Sequence, residues 1–216
     1  MSDPIQLLNT KVEINSTFGA SKAITGISKA TEAVVDCVGH GFTVGDPVVI
    51  DGVVGMSQIN KRVIRVKASP TTDSFTCEGL DSTAFSTWLS GGTAIESTGF
   101  LAFSTLTNFD YPEPQPNPED ITTIHALTKV EIFGLDAAPT VSFNTHAVPL
   151  DATITEVRKT ALAKDNRTYR VTFQNGNVML FNGKTAGGRG ISGAAGAVAS
   201  GTISIKLVQT EQVFAS

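Results

Sequence analysis

The chain has 216 residues, enough for one large β domain or two smaller ones, each with its own core. Hydrophobic residues make up 41% and charged residues 17%, with 20 Gly and 9 Pro; this balance excludes a disordered or fibrous chain and favours a folded one rich in turns. The formal net charge of -4 leaves no basic footprint for a phosphate backbone, which excludes specific nucleic-acid binding as its work.

The start, Met1-Ser2-Asp3-Pro4, has neither the basic residues nor the apolar stretch of a secretory signal, and no window approaches a membrane span. The expectation is synthesis in a reducing compartment. The first strand signal is Lys11-Val12-Glu13-Ile14, where polar and apolar residues alternate with the period of two that a half-buried strand requires.

Residues 23 to 97 read as a module of their own, opening at Ile24-Thr25-Gly26 and closing at Ser90-Gly91-Gly92-Thr93-Ala94-Ile95. Short β-patterned runs fill it: Ala33 to Val38, Val48-Val49-Ile50, Arg62 to Val66, and Ser74 to Glu78, with turn signals at Gly39-His40-Gly41 and Asp51-Gly52. It holds 8 acidic and 5 basic residues, net -3, leaving 12 and 11, net -1, for the rest, so neither part is basic. Cys37 and Cys77 fall in two of these runs, where reduced core thiols are expected ahead of a disulfide. Trp88, the one tryptophan, reads as core or hairpin packing rather than as an exposed sugar-stacking platform.

A second boundary is Phe109 to Asp120, whose alternating prolines at 112, 114, 116 and 118 remove backbone donors and favour extended polyproline geometry. It cannot be a central strand. Two readings stand: a solvated linker, or an ordered loop lying across a neighbouring subunit. In the second, Phe109 and Tyr111 supply apolar anchors, while Glu113, Glu119 and Asp120 seek basic partners such as Arg158, Lys159 or Lys164.

Further on, Lys129-Val130-Glu131-Ile132 reads as a strand, followed by the one stretch with helical period, in which Ile154, Val157 and Ala161 recur at the spacing of one helix face. The pattern predicts a helix over 153–164, opened by a Thr153 to Glu156 capping box or one turn earlier at Asp151, and stopped at Asp165-Asn166. Arg170-Val171-Thr172-Phe173, the hairpin signal Asn175-Gly176, the turn Asn182-Gly183 and the strand Ile203 to Val208 predict a meander. The Gly and Ala run from Gly183 to Gly201 is either a flexible loop or a place of tight backbone packing.

Little in this order carries chemistry. His40, His125 and His146 are far apart, and Cys37-x-x-His40 has no second ligand pair to complete a zinc site. Gly183-Lys184-Thr185 lacks the first glycine of a phosphate loop, and no helical pattern follows Gly187-Gly188-Arg189-Gly190. Glu119 and Asp120 would point apart in an extended chain, so no acid and base pair is at hand. No catalytic, metal or cofactor site is expected, and the chain reads as a non-enzyme.

From Asp120 onward the order is Asp-Ile-Thr-Thr-Ile-His, strand, Gly134-Leu135, strand, helix, Arg170-Val171-Thr172-Phe173, Asn-Gly turn, strands and a terminal Gly-Thr-Ile-Ser-Ile strand. This order resembles the tail tube (major tail) proteins of long-tailed bacteriophages over residues 1–22 and 98–216. Gly39-His40-Gly41-Phe42-Thr43-Val44-Gly45-Asp46 through Met56-Ser57-Gln58-Ile59 to Ser90-Gly91-Gly92-Thr93 resembles a small β-barrel repeat of phage tail proteins, similar in fold to one half of the catalytic-cysteine region of ubiquitin-activating enzymes. That likeness implies no ubiquitin chemistry.

The resemblance implies a mainly β fold: a β-sandwich or barrel tail tube domain with one short helix, plus the inserted all-β module at 23–97. It implies rings of six copies stacked into a tube, each ring pairing edge strands between subunits. The implied partners are the chain itself, the tape measure protein, tail-end and baseplate proteins, and genomic DNA passing through the lumen without specific binding, with no membrane. An acidic lumen would repel phosphates. The place is the virion tail, assembled in the host cytoplasm, and an outward-projecting module favours a non-contractile tail. The competing reading is a phage adhesin or tail decoration protein that binds the host surface.

Overall fold

The computed structural model describes residues 7–67, 70–114, 116–136, 138–188 and 190–215, with Leu135 and Asp136 described in backbone only. The segment Met1 to Pro4 and Arg189 lie outside the described residues. The chain is mainly β with one α-helix. In order, the first strands are β1 (Lys11–Phe18), β2 (Lys22–Ala23), β3 (Gly26–Ile27), β4 (Val34–Asp36), β5 (Pro47–Val54), β6 (Arg62–Arg65), β7 (Ser74–Thr76) and β8 (Ser90–Ala102). A 3-10 turn, Ser57–Ile59, separates β5 from β6. Then come β9 (Leu106–Asp110), β10 (Pro116–Asp120), β11 (Glu131–Asp136), β12 (Thr140–His146), helix α1 (Ala152–Ala163), β13 (Asn166–Thr172), β14 (Val178–Thr185), β15 (Ser200–Leu207) and β16 (Gln212–Phe214).

An 11-stranded sheet carries most of these, its main path running β6-β5-β8-β1-β13-β14-β15-β12-β9. Strand β8 is long because it serves two neighbours in turn. Its first half pairs β5 (Val48 with Glu96, Asp51 with Thr93), and its second half pairs β1 (Phe18 with Ser97, Ile14 with Leu101). The first half also closes a small barrel. Strand β2 pairs β8 and leads directly into β3, β3 pairs β4, β4 pairs β7, a Val66 to Cys77 bridge joins β7 to β6, and β6 pairs β5.

Two cores result. The first draws only on residues from Ile24 to Ala94, including Val35, Val48, Ile50, Ile64 and Phe75, with Phe85 and Trp88 packed at its rim. The second draws on Val12, Ile14 and residues from Phe103 to Leu207, with Phe143, Tyr169, Phe181 and Ile205 at its centre. Full burial of each such side chain stabilises by about 1.5–3 kcal/mol. A third, smaller cluster of Val63, Leu180 and Phe214 lies where the barrel meets the outer side of β14 and β16. Arg65 fastens this junction: it is bidentate to Glu78 at 2.6 Å, lies 4.5 Å over the Phe214 ring, and donates to the Ala215 carbonyl at 3.0 Å.

Helix α1 lays Ile154 and Val157 on the second core. The capping-box reading is corrected at its start. Asp151 is the N-cap, accepting from the amides of Thr153 and Ile154 at 2.9 and 3.2 Å, a cap worth about 0.5–2 kcal/mol. Thr153 instead donates to the Ala102 carbonyl, and Glu156 faces Lys159 at 3.3 Å and Arg167 at 3.4 Å, so neither side chain closes a box. Lys164 ends the helix in the left-handed region at φ 58°.

The Gly and Ala run is tight packing at two points. A Cβ on Gly183 would lie 2.5 Å from Ile205 Cγ2, and one on Gly188, at φ +133°, would lie 2.8 Å from Val157 Cγ1. Gly183-Lys184-Thr185 is the end of β14 rather than a loop, and the Thr185 hydroxyl meets those of Thr160 and Tyr169 at 3.1 and 3.0 Å in the core.

Candidate functional site

The residues that could bear chemistry are dispersed. Cys37 and Cys77 are buried free thiols, and burial pushes both up. They cannot bridge in this register, because the Cys37 amide donates to Asp73 and that of Cys77 to Ala33, at opposite ends of the β4 to β7 pair. His40 is buried with Nδ1 accepting from the Phe42 amide at 2.9 Å, its ring 5.0 Å from Phe42 and 5.2 Å from Phe75. His125 and His146 are exposed elsewhere. Among the described residues no three His, Cys, Asp or Glu groups gather as metal ligands. Trp88 is half-buried and donates to the Gly91 carbonyl at 3.0 Å.

What the structure does leave unfinished lies at one end of the 11-stranded sheet. Of the two ends of the sheet path, β6 continues into the barrel, whereas β9 has no strand beyond it among the described residues. Its free side presents unpaired amides and carbonyls, a template for another chain. Directly after β9 the chain leaves the body as an arm. Among the described residues, strands β10 and β11 pair only with each other, with Pro118 opposite Phe133, Glu119 opposite Ile132 and Asp120 opposite Glu131. Prolines fit there because a two-stranded ribbon has two edges and no centre.

The tip is held by the Ile121 amide on the Val130 carbonyl at 3.0 Å, the Val130 amide on the Thr122 hydroxyl at 2.9 Å, and the Thr122 amide on Asp120 at 2.8 Å. The bonds from Thr122 hold the Asp120 carboxyl below its ordinary range. On this ribbon the large apolar residues face water: Ile124 is 96% exposed, Leu127 fully so and Phe133 81%, with Ile121, Val130 and Ile132 also open. Acids crowd it as well. The segment carries Glu113, Glu119, Asp120, Glu131 and Asp136 against a single Lys, Lys129, which pairs with Glu131.

The contact residues expected from sequence divide into two groups. Glu113, Glu119 and Asp120 stand exposed on the arm. Phe109 and Tyr111 are half-buried on their own chain: the Phe109 ring stacks 5.5 Å from Phe143, and Tyr111 sits 6.1 Å from Phe181 with its hydroxyl donated to Glu211. Burial and that acceptor push the Tyr111 phenol up. They root the arm rather than offer free anchors. The exposure of Ile124, Leu127 and Phe133 escaped sequence reasoning, because an apolar residue after a proline run reads as the next strand's inward face.

Comparison of the chain with protein-family models and with curated proteins finds no match. Among the described residues, no helix is long and apolar enough to cross a membrane.

Proposed function

We propose that the chain is a structural subunit that assembles with copies of itself, in the manner of a phage tail tube protein: six-membered rings stacked into a non-contractile tube in the virion tail. The observation that carries this reading is the arm, an apolar, acidic ribbon exposed on a body whose two cores are otherwise closed. A lone two-stranded ribbon is marginal in water, and such a surface is completed when a second chain covers it. The open edge of β9 offers a second site of the same kind.

Strands β12 and β15 add support for a bore. Their faces turned from the core carry Ser142, Asn144, Thr202, Ser204 and Lys206, neutral to basic, while five of the chain's acids sit on the arm. DNA, or the tape measure protein before it, would then pass over weak neutral contacts rather than the acidic surface that overall charge suggests. No step in this function needs a catalytic residue or cofactor, and tail-end and baseplate proteins would cap the tube.

Electron microscopy and sedimentation of the purified chain over rising concentration test the reading. Rings and tubes are expected. A monomer or small discrete oligomer at every concentration overturns it in favour of a host-binding adhesin.

A further inference from the structure

We propose that a cleft on the outer face of the 11-stranded sheet, at the seam between the barrel and the second core, binds a neutral saccharide. A single chain holds the whole cleft, so the inference does not rest on self-assembly. Strand pairing alone collects one side of it. Val49 lies opposite Ile95, and two steps along β8 Ser97 lies opposite Phe18; the Ser97 hydroxyl meets that of Thr168 at 2.6 Å, and Thr168 lies opposite Asn182. Residues paired across strands, or two apart on one strand, share a face. Five adjacent strands, β5, β8, β1, β13 and β14, thereby set Val49, Ile95, Phe18 and Asn182 around one opening of about 380 Å³, beside the cluster of Val63, Leu180 and Phe214. That volume falls in the range of small-molecule sites, which favour seams of this kind.

The polar groups of the cleft are fixed in place, and two of them are unanswered. Asn182 is 3% exposed. Its Nδ2 donates to the Lys61 carbonyl at 3.0 Å, which sets the amide plane, while Oδ1 receives no bond from any described residue. Lys61 offers that carbonyl from the left-handed region, at φ 63°, a conformation that costs a non-glycine residue free energy and gathers at binding sites. Arg167, 8% exposed, leaves its Nε without a partner among the described residues. Buried polar atoms are nearly always bonded, so an unanswered acceptor and an unanswered donor at one cleft call for a partner from outside the chain.

The balance of charge selects the class of ligand. Arg167 faces Glu156 at 3.4 Å and Asp165 at 3.7 Å, and Lys61 shares the cleft with Asp51. Cations and acids line it in equal number, which favours neither an anion nor a cation. Hydroxyl groups suit such a lining, because each one donates, to Asn182 Oδ1 or to a carboxylate, and accepts, from an ammonium or guanidinium. The other walls are apolar: Val49, Ile95 and the Phe18 ring, 41% exposed and steadied by the Arg167 guanidinium 5.4 Å from its centre. An apolar floor beside paired donors and acceptors fits a ring with C–H faces and hydroxyl edges, which is the shape of a pyranose.

Saturation-transfer NMR on the full chain tests this, since it reads the ligand's own signals whether the protein is a monomer or an assembly. The probes are methyl glucoside, methyl galactoside, methyl mannoside and N-acetylglucosamine, with glucuronate and glucosamine as charged counterparts. At least one neutral probe should receive saturation at its ring C–H protons and reach a plateau with concentration, and its charged counterparts should bind more weakly. Phe18→Ala, at a half-open position, should weaken that probe about tenfold, and so should Asn182→Leu, which removes the free acceptor. Circular dichroism checks both folds, and Phe18→Ala decides alone if Asn182→Leu unfolds. Displacement of the probe by a soluble polysaccharide of the same sugar places the natural ligand on a polymer; no displacement places it among free sugars. Silence from every neutral probe overturns the site. So does unweakened binding by the folded variants, which puts the sugar elsewhere, or equal binding of glucuronate, which makes the ligand an anion.

Discussion

Two antiparallel strand pairs of this chain, each from neighbouring strands in sequence, end differently. Strands β13 and β14 pair over seven positions around Asn175-Gly176, and both of their faces are covered: Tyr169 stacks 5.2 Å from Phe181 inside the second core, while Leu180 on the other face meets Val63 and Phe214. Strands β10 and β11 pair over four positions with a register shift between Pro116 and Pro118, and their described side chains stay largely exposed. Local pairing makes a hairpin in both cases. What differs is whether the described residues of this chain supply the surface to bury it; on the proposed self-assembly, another copy supplies it for the arm.

The contrast breaks most sharply at the covered hairpin. Tyr169→Ala should cost about 3–5 kcal/mol, because it opens a cavity at the centre of the second core and strands the Thr185 hydroxyl that Tyr169 now meets; urea unfolding of the variant measures the loss. An effect under about 1 kcal/mol would mean that the core does not turn on this ring.

Next comes the polar side of the same sheet. Burial alone pushes the Glu13 carboxyl up, but hydrogen bonds and charge from Arg170 at 2.7 Å and Lys11 at 2.6 Å outweigh it and hold the group below the ordinary range. A depressed folded pKa gives stability that is complete above the unfolded value, near about 4.3, and is lost as pH falls through the folded one. Glu13→Gln should therefore cost about 1.5–3 kcal/mol at pH 7. Its stability gap from the parent should shrink as the medium is acidified below about pH 4. A gap that does not change with pH removes this pair from the acid response.

At the root of the arm the two hairpins meet. Phe109→Ala should lower monomer stability by about 2 kcal/mol, part of a full aromatic deletion, since one face of the ring already stacks on Phe143. That is a larger effect than a pure intersubunit anchor would show in a monomer. Urea melts in dilute solution, where assembly is absent, decide between the two roles.

The smallest expected change in stability lies at the tip. Leu127→Ala should move the melt by under about 0.5 kcal/mol, because the side chain is fully exposed, yet raise the concentration at which assemblies appear. A large loss of monomer stability would show that the tip packs on its own body.

Strand patterns at Lys11, Val48, Arg62, Arg170 and Ile203 and the Asn175-Gly176 turn were legible because alternation with period two and a two-residue turn are properties of neighbours in sequence. The helix was legible to within a residue at either end, but not its cap: Asp151 and Thr153 both suit that role, and the Ala102 carbonyl, 51 positions away, claimed the threonine hydroxyl. Strand β16 and its clasp on the barrel through Arg65 left no local mark, since Phe214 gains its partners from residues far back in the chain.

The sequence by itself determined the strands at Lys11, Val48, Arg62, Arg170 and Ile203, the turn at Asn175-Gly176, and that the two thiols go inside, because these depend on local backbone preference and on side-chain hydrophobicity, whereas His40, read as a turn residue, is buried by its fold neighbours. Tertiary structure alone decided which apolar residues are left in water. Ile124 and Ile203 look alike in sequence, but burial is settled by whether a second surface arrives, and for the arm no other described part of this chain does.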